Sequence, residues 1–260
     1  MNMSGILATF IAGAFFLIGA LINKGFSKKD KILDFSMGLA LVIALGLVIF
    51  DLLPHAIEHF EHLSTGYIIL FIVIFAGLGI IVLKIIDLLI PQHTHDHKDN
   101  EKNHDEHNEH ISHIGVVTSI ALVFHNIIEG IVIYNSVHLG SGTGLLLALG
   151  IALHNIPMGM QISATLNEGK AGKNKKIGVY LALVLSTPLG ALIMLLLSGI
   201  ITEFATGIMI AFAMGTLIYI ALFELLKEVL HNKDKSASII GMAIGLILVI
   251  ISIMTGGHGH

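Results

Sequence analysis

An all-α, polytopic membrane fold of eight transmembrane helices, with an inverted motif shared by the fourth and fifth at its core, is the architecture this sequence predicts. Three observations predict it. The chain is 55% hydrophobic and only 12% charged, against roughly 25% charged in soluble domains. Its apolar residues fall into eight tracts, each near the roughly 20 residues that a helix needs to cross a bilayer. Its lysines alternate from one connection to the next, as the excess of positive charge on cytoplasmic loops requires.

The tracts run at 4–23, 34–53, 66–90, 114–136, 142–166, 177–199, 203–226 and 237–254. The first has no Lys before it and no small-residue cleavage pattern after it, so it is expected to be a helix and not a removable signal peptide. Arg is absent from the sequence. Its 14 basic residues are all Lys and follow or end the odd-numbered tracts: Lys24, Lys28, Lys29 and Lys31 after the first, Lys84, Lys98 and Lys102 at the third, Lys170, Lys173, Lys175 and Lys176 after the fifth, and Lys227, Lys233 and Lys235 after the seventh. Both termini are therefore expected outside the cytoplasm, in an inner or plasma membrane.

Most connections are short. The exception, 91–113, is PQHTHDHKDNEKNHDEHNEHISH, in which His93, His95, His97, His104, His107, His110 and His113 alternate with acids. It is expected to be loosely ordered in the cytoplasm, either as a polar linker or as a weak, exchangeable binder of borderline metal ions. His55, His59 and His62 after the second tract, with His258 and His260, fall on the opposite face. They are expected either to collect metal there or, for the last two, to form a solvated tail.

With no Cys in the chain, thiolate clusters are excluded. Imidazole, carboxylate, amide and thioether remain as metal ligands. The fourth tract holds His125-Asn126-Ile127-Ile128-Glu129-Gly130 and the fifth His154-Asn155-Ile156-Pro157-Met158-Gly159. A short connection makes the two helices antiparallel, so the motifs face each other in inverted orientation near mid-membrane, where transporters commonly place their sites. On a helix, residues i and i+4 share a face. His125 and Glu129 thus project together with Asn126 beside them, and His154 and Met158 project together with Asn155 beside them. A carboxylate at the bilayer centre costs at least about 2.5–3.5 kcal/mol. Glu129 therefore needs either an ion or a hydrogen-bonded partner across helices. Pro157 frees the Leu153 carbonyl, and Gly130 and Gly159 permit close helix approach.

These motifs resemble the paired motifs of the ZIP metal transporters, particularly the bacterial branch that includes zinc-uptake and GufA-like proteins. Asp51-Leu52-Leu53-Pro54-His55, Pro188-Leu189-Gly190-Ala191, and the stretch from Ala211-Phe212-Ala213-Met214-Gly215 to Glu224-Leu225-Leu226 are similar to that family's second, sixth and seventh helices. The resemblance implies a transport site at His125, Asn126, Glu129, His154 and Asn155. Met158 stands where the family usually has a carboxylate, and Thr187 stands where it usually has Glu before Pro. Both departures argue against two ions held side by side. Met158 instead offers a soft thioether, or serves as a gap-filler between helices.

The chain divides, on this reading, into helices 1–3 (1–90), the His-rich cytoplasmic loop (91–113) and helices 4–8 with the metal site (114–260). The expected function is transport of divalent transition metals into the cytoplasm, Zn²⁺ first and then Fe²⁺, Mn²⁺ or Cd²⁺. Export and a non-transporting, metal-responsive regulator are the alternatives. No enzyme is expected: the sequence has no H-E-x-x-H, no P-loop and no room for a soluble catalytic domain. No cofactor is expected beyond the ion itself. The expected partners are the ion and the lipid bilayer, and a homodimer is possible through small-residue helix faces. Nucleic-acid binding lacks a basic patch to carry it.

Overall fold

The computed structural model describes residues 3–24, 29–90, 102–138, 142–197, 201–231 and 234–256. Among these, every regular element is helical. Lipid offers the backbone no hydrogen bonds, so apolar runs of this length satisfy their N–H and C=O groups internally. We number eight helical rods: α1 (Met3–Lys24), α2 (29–59), α3 (Thr65–Leu89), α4 (Lys102–His138), α5 (Gly142–Glu168), α6 (Lys173–Leu197), α7 (203–231) and α8 (Lys235–Gly256). The α2 rod passes through a π-helical turn at Val48–Leu52, and α7 through another at Ile220–Leu225. Such turns are rare, and they concentrate at functional positions. Here each holds one acidic residue, Asp51 and Glu224.

By length and composition, six of the described helices can cross a membrane: Met3–Asn23, Lys31–His59, Thr65–Leu89, His110–Val137, Lys173–Leu197 and Glu203–His231. The described parts of α5, which bury several polar side chains, and of α8, whose apolar stretch Lys235–Ile251 is shorter, are not among the six.

Several boundaries differ from expectation. The α2 rod runs on to His59 and α7 to His231, so His55 and His59 lie within α2 and not after it. The second half of the His-rich tract is helix, because α4 begins at Lys102 and not near 114. From Ile111 onward its side chains are packed, with Ile111 fully buried and His113 held by Asp87 of α3. That packing extends the helix past its apolar segment. The first half of the tract, with His93, His95 and His97, lies outside the described residues, as do His258 and His260. The second rod begins at Lys29 and not at 34. There the buried Asp34 accepts the backbone N–H of Asp234, and Lys31 pairs with the Asp234 carboxylate at 2.9 Å.

The rods form a centre and a periphery. The α4 helix packs on α6, α5, α7 and α1, and α5 also packs on α1 and α2; α3 rests chiefly on α7 and α8 on α2. Only 22% of the α3 span is buried, against 67% for α4. The outward faces carry large apolar side chains such as Tyr67, Leu70, Val73, Ile81 and Leu88, while His125, Asn126, Glu129, Asn155, Gln161, Ser186 and Thr187 are buried inside. Apolar outside and polar inside is the arrangement that suits a lipid surround. Gly130 and Gly190 set the spacing of α4 and α6: a Cβ on either would run into the other helix's backbone, the Thr187 carbonyl in one case and that of Ile127 in the other. Gly159 meets the Phe16 carbonyl of α1 in the same way.

Candidate metal centre

Helical spacing places His125 and Glu129 one turn apart on α4, and α5 brings His154 to the same point. His125 Nε2 lies 2.9 Å, and His154 Nε2 2.8 Å, from the same oxygen, Glu129 Oε1. One ligand atom from each of the three lies within 4.8 Å of the others. The two imidazole rings have centroids 6.1 Å apart and are tilted by 44°. His125 is 1% and Glu129 5% exposed. Despite this burial, neither nitrogen of His125, neither oxygen of Glu129, nor Nε2 of His154 has a hydrogen-bond partner of good geometry. Buried polar atoms are rarely left so. Two imidazole nitrogens and a carboxylate oxygen thus converge on one buried point, the N and O donor set that suits a divalent transition metal.

The remaining expected residues have individual placements. Asn126 donates its amide N–H to Ser186 Oγ at 3.0 Å and to the Leu183 carbonyl at 3.5 Å, while its Oδ1 is buried without a partner. Asn155 donates to the Ala12 carbonyl at 3.0 Å, tying α5 to α1. Met158 is 2% exposed and belongs to the main apolar core. Thr187 is fully buried and its hydroxyl has no partner. The charge of Asp51, in the π-turn of α2, reaches His125. Pro157 and Pro188 both lie inside unbroken helices.

A second polar group, unanticipated as a unit, joins the end of α3, the start of the buried part of α4 and the π-turn of α7. Asp87 accepts the Tyr219 hydroxyl at 2.7 Å and lies 2.5 Å from His113 Nε2. Glu224 is close enough to feel the charges of both Asp87 and His113, and His110 Nε2 lies 3.8 Å from Glu228. Asp87 was legible: an acid in the last turn of an apolar span raises the same question of cost as Glu129. Tyr219 left no such signal.

At the ends of α2 and α7 opposite this group, His59 Nδ1 lies 2.5 Å from Glu203, and the His62 ring meets Phe204 edge-on at 6.2 Å. His55 Nδ1 is 2.8 Å from the Asp51 carbonyl oxygen and 3.3 Å from its carboxylate.

An all-helical membrane core that buries a two-imidazole, one-carboxylate cluster defines a multi-pass protein of the metal-handling class. The sequence model of the ZIP zinc transporters matches residues 89–253, more than half of the chain and all of the cluster. The chain belongs to that family, whose members are transporters of divalent metal ions. No curated protein matches it.

Proposed function

We propose that the chain carries Zn²⁺ foremost, and Fe²⁺, Mn²⁺ or Cd²⁺ less readily, into the cytoplasm through the site between α4 and α5. The observation that carries this reading is the convergence of buried ligand atoms from His125, Glu129 and His154 on one point. Asn126 Oδ1, unpartnered, is the fourth ligand. Asn155 and Met158 border the ion, and the thioether adds softness that disfavours Mg²⁺ and Ca²⁺.

All eight rods span the bilayer with both termini outside, as the lysine alternation supports. The motif copies on α4 and α5 then face each other in inverted orientation. A single carboxylate leaves a bound M²⁺ with net positive charge, which is costly in a low dielectric. The nearby charge of Asp51 offsets part of it. This incomplete neutralisation keeps binding reversible, and the ion leaves toward the acidic group at Asp87, His113 and Glu224.

Uptake of ⁶⁵Zn²⁺ into proteoliposomes tests the reading. Saturable uptake by wild type that disappears in Glu129→Ala supports it. Wild type that binds the metal but moves neither Zn²⁺ nor Fe²⁺, Mn²⁺ or Cd²⁺ refutes it in favour of a metal-responsive regulator. The second reading has one observation in its favour: Met158 and Thr187 occupy buried positions with no charge to complete the site.

A further inference from the structure

Two turns away from the His and Glu cluster lies a pair of buried polar side chains that the site does not use. Gln161 of α5 is fully buried, and neither its amide nitrogen nor its oxygen has a partner; Thr118 of α4 is 2% exposed, and its hydroxyl has none either. The neighbouring hydroxyls are committed. Thr165 Oγ1 donates to the Gln161 and Ile162 carbonyls, and Ser119 Oγ to the Val116 carbonyl.

The register of the helix pair puts the two orphaned side chains at one level. His125 meets His154 at one level, and ten residues earlier on α4, Gly115 lies against Thr165 of α5. These contacts fix an antiparallel register in which Thr118 stands opposite Gln161. Thr118 precedes His125 by seven residues, and Gln161 follows His154 by seven. A shift of seven residues returns to the same helix face within about 20° and moves about 10.5 Å along the axis. Both therefore lie on the ligand-bearing faces, displaced in the same direction.

That direction is toward the Asp87 and His113 group. His113 is twelve residues from His125 on α4, a gap of about 18 Å along the helix. Buried apolar side chains such as Ile114, Val117, Ala121, Leu122 and Ile162 occupy this stretch of the two helices. Thr118 and Gln161 break the gap in two. A divalent cation crossing it would otherwise lose its ligands and much of its hydration at once, which low-dielectric surroundings penalise severely.

We infer that Thr118 Oγ1 and Gln161 Oε1 form a second cation station on the cytoplasmic side of the central site, holding a partly hydrated divalent ion through neutral oxygens. It rests on the transport reading. Neutral oxygens bind more weakly than the His and Glu cluster, so the station passes the ion on.

The test uses the full-length protein. In proteoliposomes, Gln161→Leu and Thr118→Val are expected to lower ⁶⁵Zn²⁺ flux at least tenfold. Central-site affinity, read from the visible absorption of bound Co²⁺, should stay within twofold of wild type. Flux within twofold of wild type in both variants overturns the station while leaving the transport reading intact. A Gln161→Glu variant supplies a readout that needs no transport: the Co²⁺ titration should rise from one ion per chain to two, and an unchanged stoichiometry counts against the station. If wild type moves no ion, the transport reading fails by itself, and the Gln161→Glu titration still decides whether a second site exists.

Discussion

HNIIEG on α4 and HNIPMG on α5 begin alike, yet they do different work. The first copy contributes His125 and Glu129 to one buried point, and its Asn126 leaves a buried Oδ1 without a partner. The second contributes His154, spends its Asn155 amide on the Ala12 carbonyl of α1, and carries Met158 into the apolar core. One copy holds the charge and the other packs the helix that presents the opposing imidazole. The difference teaches that a repeated motif fixes geometry while a single residue, Glu against Met, fixes the charge each copy brings to it.

The largest expected effect comes from removing that charge. Glu129→Gln keeps shape but leaves the ligand set neutral. Co²⁺ affinity should fall by at least about 100-fold, the upper end of what loss of an outer-shell partner costs a metal site, and flux should reach background. Near-wild-type binding by this variant would break the comparison. Next comes an attempt to equalise the copies: Met158→Glu combined with Thr187→Glu should raise Co²⁺ stoichiometry from one ion to two. A stoichiometry still at one would mean that the second copy lacks the room as well as the charge.

The smallest effects separate the two asparagines. On the proposed four-ligand site, Asn126→Ala should weaken Co²⁺ binding roughly tenfold, the lower end of what loss of an outer-shell partner costs a metal site. Asn155→Ala should leave binding unchanged and lower stability by about 1 kcal/mol, the net worth of one buried hydrogen bond, as thermal unfolding in detergent would show. If the two responses are reversed, the second copy supplies the amide ligand and the first supplies the brace.

How far the site could be read from sequence differs by residue. His125 and Glu129 were legible because helical spacing alone puts i and i+4 on one face and because a carboxylate in a span demands a reason. His154 was legible through its repeated context. That Asn126 binds Ser186 and Asn155 binds Ala12 depends on α6 and α1, helices whose placement beside the motifs no local pattern encodes. The extension of α4 back to Lys102 has no local signal for the same kind of reason. A polar, His-rich stretch has no apolar periodicity, and it is held as helix by contacts such as His113 with Asp87, 26 residues away.

The sequence by itself determined the helical class, the membrane setting and the donor types open to a metal. Composition, span length and the absence of Cys act through solvation and donor type, which need no knowledge of neighbours. Only the tertiary structure decided which of six candidate ligands converge, that Asp87, His113, Tyr219 and Glu224 gather into a second polar group, and that Thr118 stands opposite Gln161. Those facts follow from the register and close approach of helices distant in the chain, where one missing Cβ at Gly130 or Gly190 sets a spacing that composition does not contain.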